Sequence, residues 1–176
     1  MPPRTYYARN DGLYIAYQVV GSGDACIVQS FAGPTHLEAL WDLPELAGGV
    51  EQLARVARVI IYDKRGAGLS DHQGSPVTLE ERAADLLAVM DAADAPRAML
   101  TGAADGAAAS LVAAALAPDR VTGMVVTEIM ATLTARPGHP WGLTEAASRM
   151  LTQSRWGEAD VLSYLGLAAD PRLSEL

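Results

Sequence analysis

One cysteine, one phenylalanine and three histidines are all that this 176-residue chain holds of those residue types. Cys26 has no second cysteine to meet, which excludes an intrachain disulfide and a cysteine metal site. Long apolar runs are missing too: none approaches the ~20 residues that a membrane-spanning helix needs. The opening Met1-Pro2-Pro3-Arg4 has no apolar signal-peptide core, so the chain reads as soluble and cytoplasmic, with no membrane partner. Positive charge is scarce, 13 Lys and Arg against 21 Asp and Glu, and a net charge of −8 argues against nucleic acid as a partner. No metal and no cofactor is expected. Half of the residues are hydrophobic, enough for a real core, and the length sets one domain as the ceiling.

What is present is the alternation of strand and helix signals expected of a largely parallel sheet. Residues 5–8 and 13–20 flank Asn10-Asp11-Gly12, a hairpin signal because these residue types tolerate the positive φ of a tight turn. The first two strands should therefore be antiparallel neighbours. Residues 25–29 read as a third strand, followed by a helix over 44–56 with Leu46, Val50 and Leu53 on one face, and 58–62 return as a strand. Thr78 and Glu81 make a T-x-x-E capping box. Leu79, Ala83, Leu86, Leu87 and Met90 then give the next helix an apolar stripe. A short apolar strand at 98–101, an alanine-rich helix at 107–116 and a sixth strand at 121–127 follow, then two amphipathic helices near 143–155 and 158–167.

The most informative segment joins the fifth strand to its helix: Thr101-Gly102-Ala103-Ala104-Asp105-Gly106-Ala107. It has the frame of a G-x-S-x-G nucleophile elbow, in which Gly102 and Gly106 let the backbone turn sharply and the central residue is presented on a strained corner. The central residue here is Ala104, which has no oxygen. The spacing of a hydrolase survives, and the chemistry of its serine does not.

Beyond that frame stand Tyr7-Ala8-Arg9, Ile15-Ala16-Tyr17-Gln18-Val19-Val20-Gly21, His36-Leu37-Glu38 before Trp41, and Asp63-Lys64-Arg65-Gly66-Ala67-Gly68-Leu69-Ser70-Asp71. Val89-Met90-Asp91-Ala92, Pro118-Asp119-Arg120-Val121 and Pro140-Trp141-Gly142 add to them. Together they make the chain resemble the N-terminal part of an α/β-hydrolase, of the sort joined to adenylate cyclase domains in actinobacteria. The resemblance implies an α/β fold with a mostly parallel sheet of about six strands and flanking helices. It implies a truncated hydrolase core over 1–133 and the start of a helical cap over 134–176, within one domain. It also puts Ala104 in the place of the nucleophile. Hydrolases of this kind carry their acid and histidine after the nucleophile, and the late strands that would deliver them are not expected before Leu176.

Each candidate for chemistry has a plain reading beside it. Asp105 also fits a frame shifted by one residue, as an aspartate nucleophile. Otherwise it is the residue after the nucleophile position, near a helix N-terminus that favours a carboxylate. Ser30, with Phe31 and Ala32, ends the third strand where the family draws one oxyanion donor, the other being the backbone N–H of Asp105. Such a nest could take a carboxylate or phosphate, opposed by the Asp105 side chain. Glu128 and His139 follow the elbow in the order of an acid and a base, but without an oxygen at Ala104 they have nothing to activate. His36 is expected to fix its loop, His72 to be exposed, and Ser110 to have turned away from the corner. Asp63, Arg65, Gly66, Gly68 and Ser70 read as a structural turn. Trp141 and Trp156, with Met150, Leu151 and Leu165, read as packing or as the lining of a cap pocket.

Three functions remain open on the sequence. One is a noncatalytic module that binds a small apolar or carboxylate-bearing molecule, or pairs with itself through the exposed edge of the sixth strand. Another is an active esterase-like or dehalogenase-like hydrolase using Asp105 or another constellation. The last is a sensory or vestigial piece of a longer cyclase-linked protein.

Overall fold

The computed structural model of the chain describes residues 2–129, 132 and 134–153. Two compact units divide it, 1–129 and 130–176. The first holds a six-stranded sheet in the order β1-β2-β4-β3-β5-β6. The strands are β1 (Thr5–Asn10), β2 (Leu13–Val20), β3 (Cys26–Ser30), β4 (Arg58–Tyr62), β5 (Ala98–Ala103) and β6 (Val121–Thr127). Its helices are α1 (Pro44–Ala54), α2 (Leu79–Ala92) and α3 (Ala104–Leu116).

β1 and β2 are antiparallel, closing with the pair Asn10↔Leu13. Between them Asp11 and Gly12 both take positive φ, 50° and 81°, the geometry of a two-residue hairpin turn whose twist matches its strands. β2 joins β4 antiparallel, and from there β4, β3, β5 and β6 run parallel. Among the described residues β6 pairs with β5 alone.

Alternation along β4 sends Val59 and Ile61 to one face and Ile60 and Tyr62 to the other. Ile60 and Tyr62 share a core with Val28, Leu100 and the α2 residues Ala83, Leu86, Val89 and Met90. Val59 and Ile61 pack with Leu37, Leu40 and Val50 of the α1 side. The sheet is thus sandwiched, as parallel strands require. The capping box forms as the sequence predicts: Thr78 Oγ1 accepts from Glu81 N at 3.1 Å, and Thr78 N donates to Glu81 Oε2 at 2.7 Å.

Several expectations shift: β1 and β5 each run two residues further, α1 ends at Ala54 and α3 starts at Ala104. Leu46 and Leu79 were assigned to buried faces, yet each is 43% exposed; both lie in the first turn of their helices, ahead of the positions that meet the sheet. The third strand begins and ends one residue later than the sequence suggests, because Ser30 still pairs with Gly102.

The second unit contains a helix, α4 (Glu145–Gln153), shorter than the 143–155 predicted. Before it, backbone bridges join Arg136 to His139 and Thr134 to Leu143. The helix expected near 158–167, with Trp156 and Leu165, lies outside the described residues, as do the side chains of Met150 and Leu151. No helix among the described residues is long and apolar enough to cross a membrane.

Candidate functional site

The site forms where β3, β4 and β5 deliver their C-terminal ends to one rim of the sheet. At the end of β5, Ala103 is still extended, with φ −126° and ψ 147°. Ala104 then swings to φ +48°, a left-handed conformation that a side chain adopts only under strain, and α3 starts there. Two glycines make the corner possible. A Cβ on Gly102 would lie 2.8 Å from Ala107 N, and one on Gly106 would collide with the carbonyl oxygens of Ser30 and Phe31. The β5–α3 corner is thereby pressed against the β3 loop.

Asp105, the second residue of α3, is fully engaged. Its Oδ1 accepts the backbone N–H of Gly33 at 2.9 Å. Its Oδ2 accepts from Lys64 Nζ at 2.7 Å and from Arg82 Nη1 at 2.9 Å. Lys64 Nζ also donates to Phe31 O at 3.0 Å. Burial pushes the Asp105 carboxyl up, but the Lys64 hydrogen bond and charge, the Gly33 N–H and Arg82 outweigh it, and the net direction is downward. Burial in turn draws the Lys64 ammonium down, against the opposing pull of Asp105. A carboxylate held this way is stabilised as a charge and is a poor nucleophile, since its lone pairs are committed to three donors.

Ser30 and Phe31 are near the corner, with the Ser30 hydroxyl and the Phe31 carbonyl already bonded within the protein. Ser30 is buried, and its hydroxyl pairs with Tyr62 OH at 2.8 Å. Burial pushes the Tyr62 phenol up to about 12, against the opposing bond to Ser30. The Phe31 carbonyl is taken by Lys64. Ala32 is exposed on the same loop. Phe31 also lines a hollow of ≈ 210 Å³ with Gln29, Leu46, Val50 and Leu53. A second hollow, ≈ 260 Å³, is lined by Asp91, Asp94 and Arg120; it lies at the N-terminal end of β5, away from the corner.

The run after β4 ties loops together. Asp63 Oδ1 accepts from Thr35 Oγ1 at 2.7 Å, and its Oδ2 takes the N–H groups of Leu37 and Leu69 at 3.1 and 2.9 Å. Ser70 Oγ donates to Asp63 O at 2.6 Å and accepts Ala16 N at 2.9 Å. Gly66 and Gly68 take positive φ in the turn between them. Arg65 grips Asp85 of α2 through Nε and Nη2 at 2.6 and 2.7 Å, and Asn10 Nδ2 adds a third bond to Asp85 at 2.8 Å.

The other candidates of the first unit have partners of their own or lie exposed. Glu128 is exposed just past β6, with φ +55°. His139 belongs to the second unit, where its backbone bonds Arg136 and its ring lies 4.9 Å from that of Trp141. His36 is exposed, and its Nδ1 accepts Ala39 N at 3.3 Å, closing its own turn. His72 is exposed. Ser110 is buried, with its hydroxyl on Gly106 O at 2.9 Å. Lys64, Arg82 and Gly33 escaped the sequence reading. The available signal was topological: parallel strands bring Lys64, the β3 loop and the β5 corner to one edge.

A mostly parallel sheet in this strand order, with a left-handed corner leading from β5 into α3, defines the hydrolase class of α/β proteins. The chain belongs to the alpha/beta hydrolase fold family, whose model matches residues 38–159. RutD of Azorhizobium caulinodans, assigned as a carbamate hydrolase, is 30% identical over 120 residues, which is 68% of this chain and 43% of that protein. Est816, described as an N-acyl homoserine lactone degrading enzyme, is 25% identical with a TM-score of 0.67, over 91% of this chain and 56% of its own. The enol-lactonase of Burkholderia xenovorans LB400 is 32% identical with a TM-score of 0.58, over 68% of this chain and 45% of its own. The chain thus spans 43% of its curated relative and 56% of Est816.

Proposed function

We propose that this chain is a noncatalytic member of its family that binds a small molecule at the β5–α3 corner. The observation that carries this reading is Ala104. It holds the strained backbone of a presented nucleophile, φ +48°, and offers a methyl group in place of a nucleophilic oxygen. The commitment of Gly33 N–H to Asp105 supports it further, because a donor of the β3 loop is spent on the protein's own carboxylate instead of facing an oxyanion. The relatives named for carbamate and lactone chemistry suggest compact carbonyl compounds as the ligand class.

Hydrolysis through Asp105 is the competing reading, and the three donors on that carboxylate weigh against it. A fluorophosphonate probe and a small alkyl halide, each followed by mass mapping of the protein, separate the two readings. No adduct is expected at the corner with either reagent. An adduct on Asp105 or on a serine of 1–129 would reverse the proposal. Self-association through β6 is a second binding mode, favoured by Val125 and Ile129, which are 55% and 41% exposed. Light-scattering mass tests it, and a monomer across concentration removes it.

A further inference from the structure

We propose that the ligand is a carboxylate, bound by the free edge of the Arg82 guanidinium beside Lys64. This rests on the small-molecule reading above and names the chemistry of its ligand. Three charged side chains meet at the corner, Lys64 and Arg82 around the single carboxylate of Asp105. Beside them Arg65 faces two carboxylates, Asp85 at 2.6 Å and Glu81 at 3.5 Å. Around Asp105 itself two cations share one carboxylate.

The two cations differ in access. The Lys64 side chain is 5% exposed, so its ammonium is poorly hydrated, whereas Arg82 is 26% exposed and reachable from solvent. Arg82 uses Nη1 on Asp105, and among the described residues its Nε and Nη2 have no hydrogen-bond partner. That edge is a planar two-donor fork, the geometry that matches a carboxylate through two parallel bonds. Asp105 holds the fork in place from its other side. The same guanidinium already holds one carboxylate, that of Asp105, through Nη1 at 2.9 Å. A carboxylate presents two coplanar oxygens to the two donors of that edge. The start of α3 adds a favourable field for an anion on the same side.

Hexanoate and hexanamide, equal in length and differing in charge, test this by titration into the full chain, following the amide signals of Gly33 and Gly106 by NMR. Hexanoate is expected to bind about tenfold more tightly than hexanamide, the scale of one charge-assisted contact. Arg82→Gln should erase that preference without lowering the melting temperature by more than a few degrees. If Arg82→Gln fails to fold, Arg82→Lys retains the charge without the fork and should lose most of the preference. Equal binding of the two probes would overturn the carboxylate assignment and leave the small-molecule reading standing. Binding of neither would overturn both. A preference for hexanoate that survives at Arg82→Gln or Arg82→Lys would remove Arg82 from the site.

Discussion

Asp105 and Gly33 are joined by a 2.9 Å hydrogen bond from the Gly33 N–H to Oδ1, so the first turn of α3 carries its own plug for the loop that follows β3. The second oxygen of the same carboxylate ties in β4 through Lys64 and α2 through Arg82. One side chain therefore pins four segments at the rim of the sheet.

Removing its charge should be felt as lost stability. Asp105→Asn is expected to cost about 1–2 kcal/mol at neutral pH. That is less than the full penalty for breaking a buried pair, because Asp105 is partly exposed and solvent screens it. The sign of the pH dependence follows from a folded-state pKa held below the ordinary 3.8. The contribution is complete above the unfolded value and disappears as pH falls through the lower folded one. Urea melts of wild type and variant should run in parallel above about pH 5 and converge in stronger acid. A constant gap down to pH 2 would mean that the charge is not the source.

At the corner itself, relief of strain is testable on its own. Ala104→Gly removes the Cβ from a residue at φ +48°. It should raise stability by about 0.5–1 kcal/mol, the left-handed penalty less the entropy of the freer unfolded chain. A loss of stability would show that the methyl group packs usefully.

Asp85 makes a stronger demand. It is buried within the apolar stripe of α2 and is bound by Arg65 and Asn10. Asp85→Ala takes from the Arg65 guanidinium its buried partner, leaving Gln73 at 2.7 Å and Glu81 at 3.5 Å, and should cost about 3 kcal/mol. Thr78→Ala, which breaks only the capping box of the same helix, should cost about 1 kcal/mol. The ratio of the two, read from denaturant midpoints at constant slope, checks that the buried pair and not the helix end dominates. Equal losses would contradict it.

These contrasts also mark what could be read in the residues. The bounds of β2, β4 and β6, the hairpin at Asp11-Gly12 and the capping box are local features, set by alternation and turn chemistry within a few positions. The corner at Ala104 was legible for the same reason, since glycine spacing signals the turn. The cluster around Asp105 was not, because its partners lie 23, 41 and 72 positions away in the chain. Only the strand order brings them together. Asp85 was hidden differently: a helical stripe predicts burial of its neighbours but says nothing of a carboxylate paired across to the turn after β4.

The left-handed backbone at Ala104 bears on what a serine placed there would need. Alanine and serine codons differ by a single base, and the corner already holds its side chain in the required conformation. A hydroxyl placed there calls for no rebuilding of the turn. Beside such a serine the Asp105 carboxylate would still hold the Gly33 N–H, so freeing that donor takes a second change at the adjacent codon, one that gives up the bonds holding the rim together.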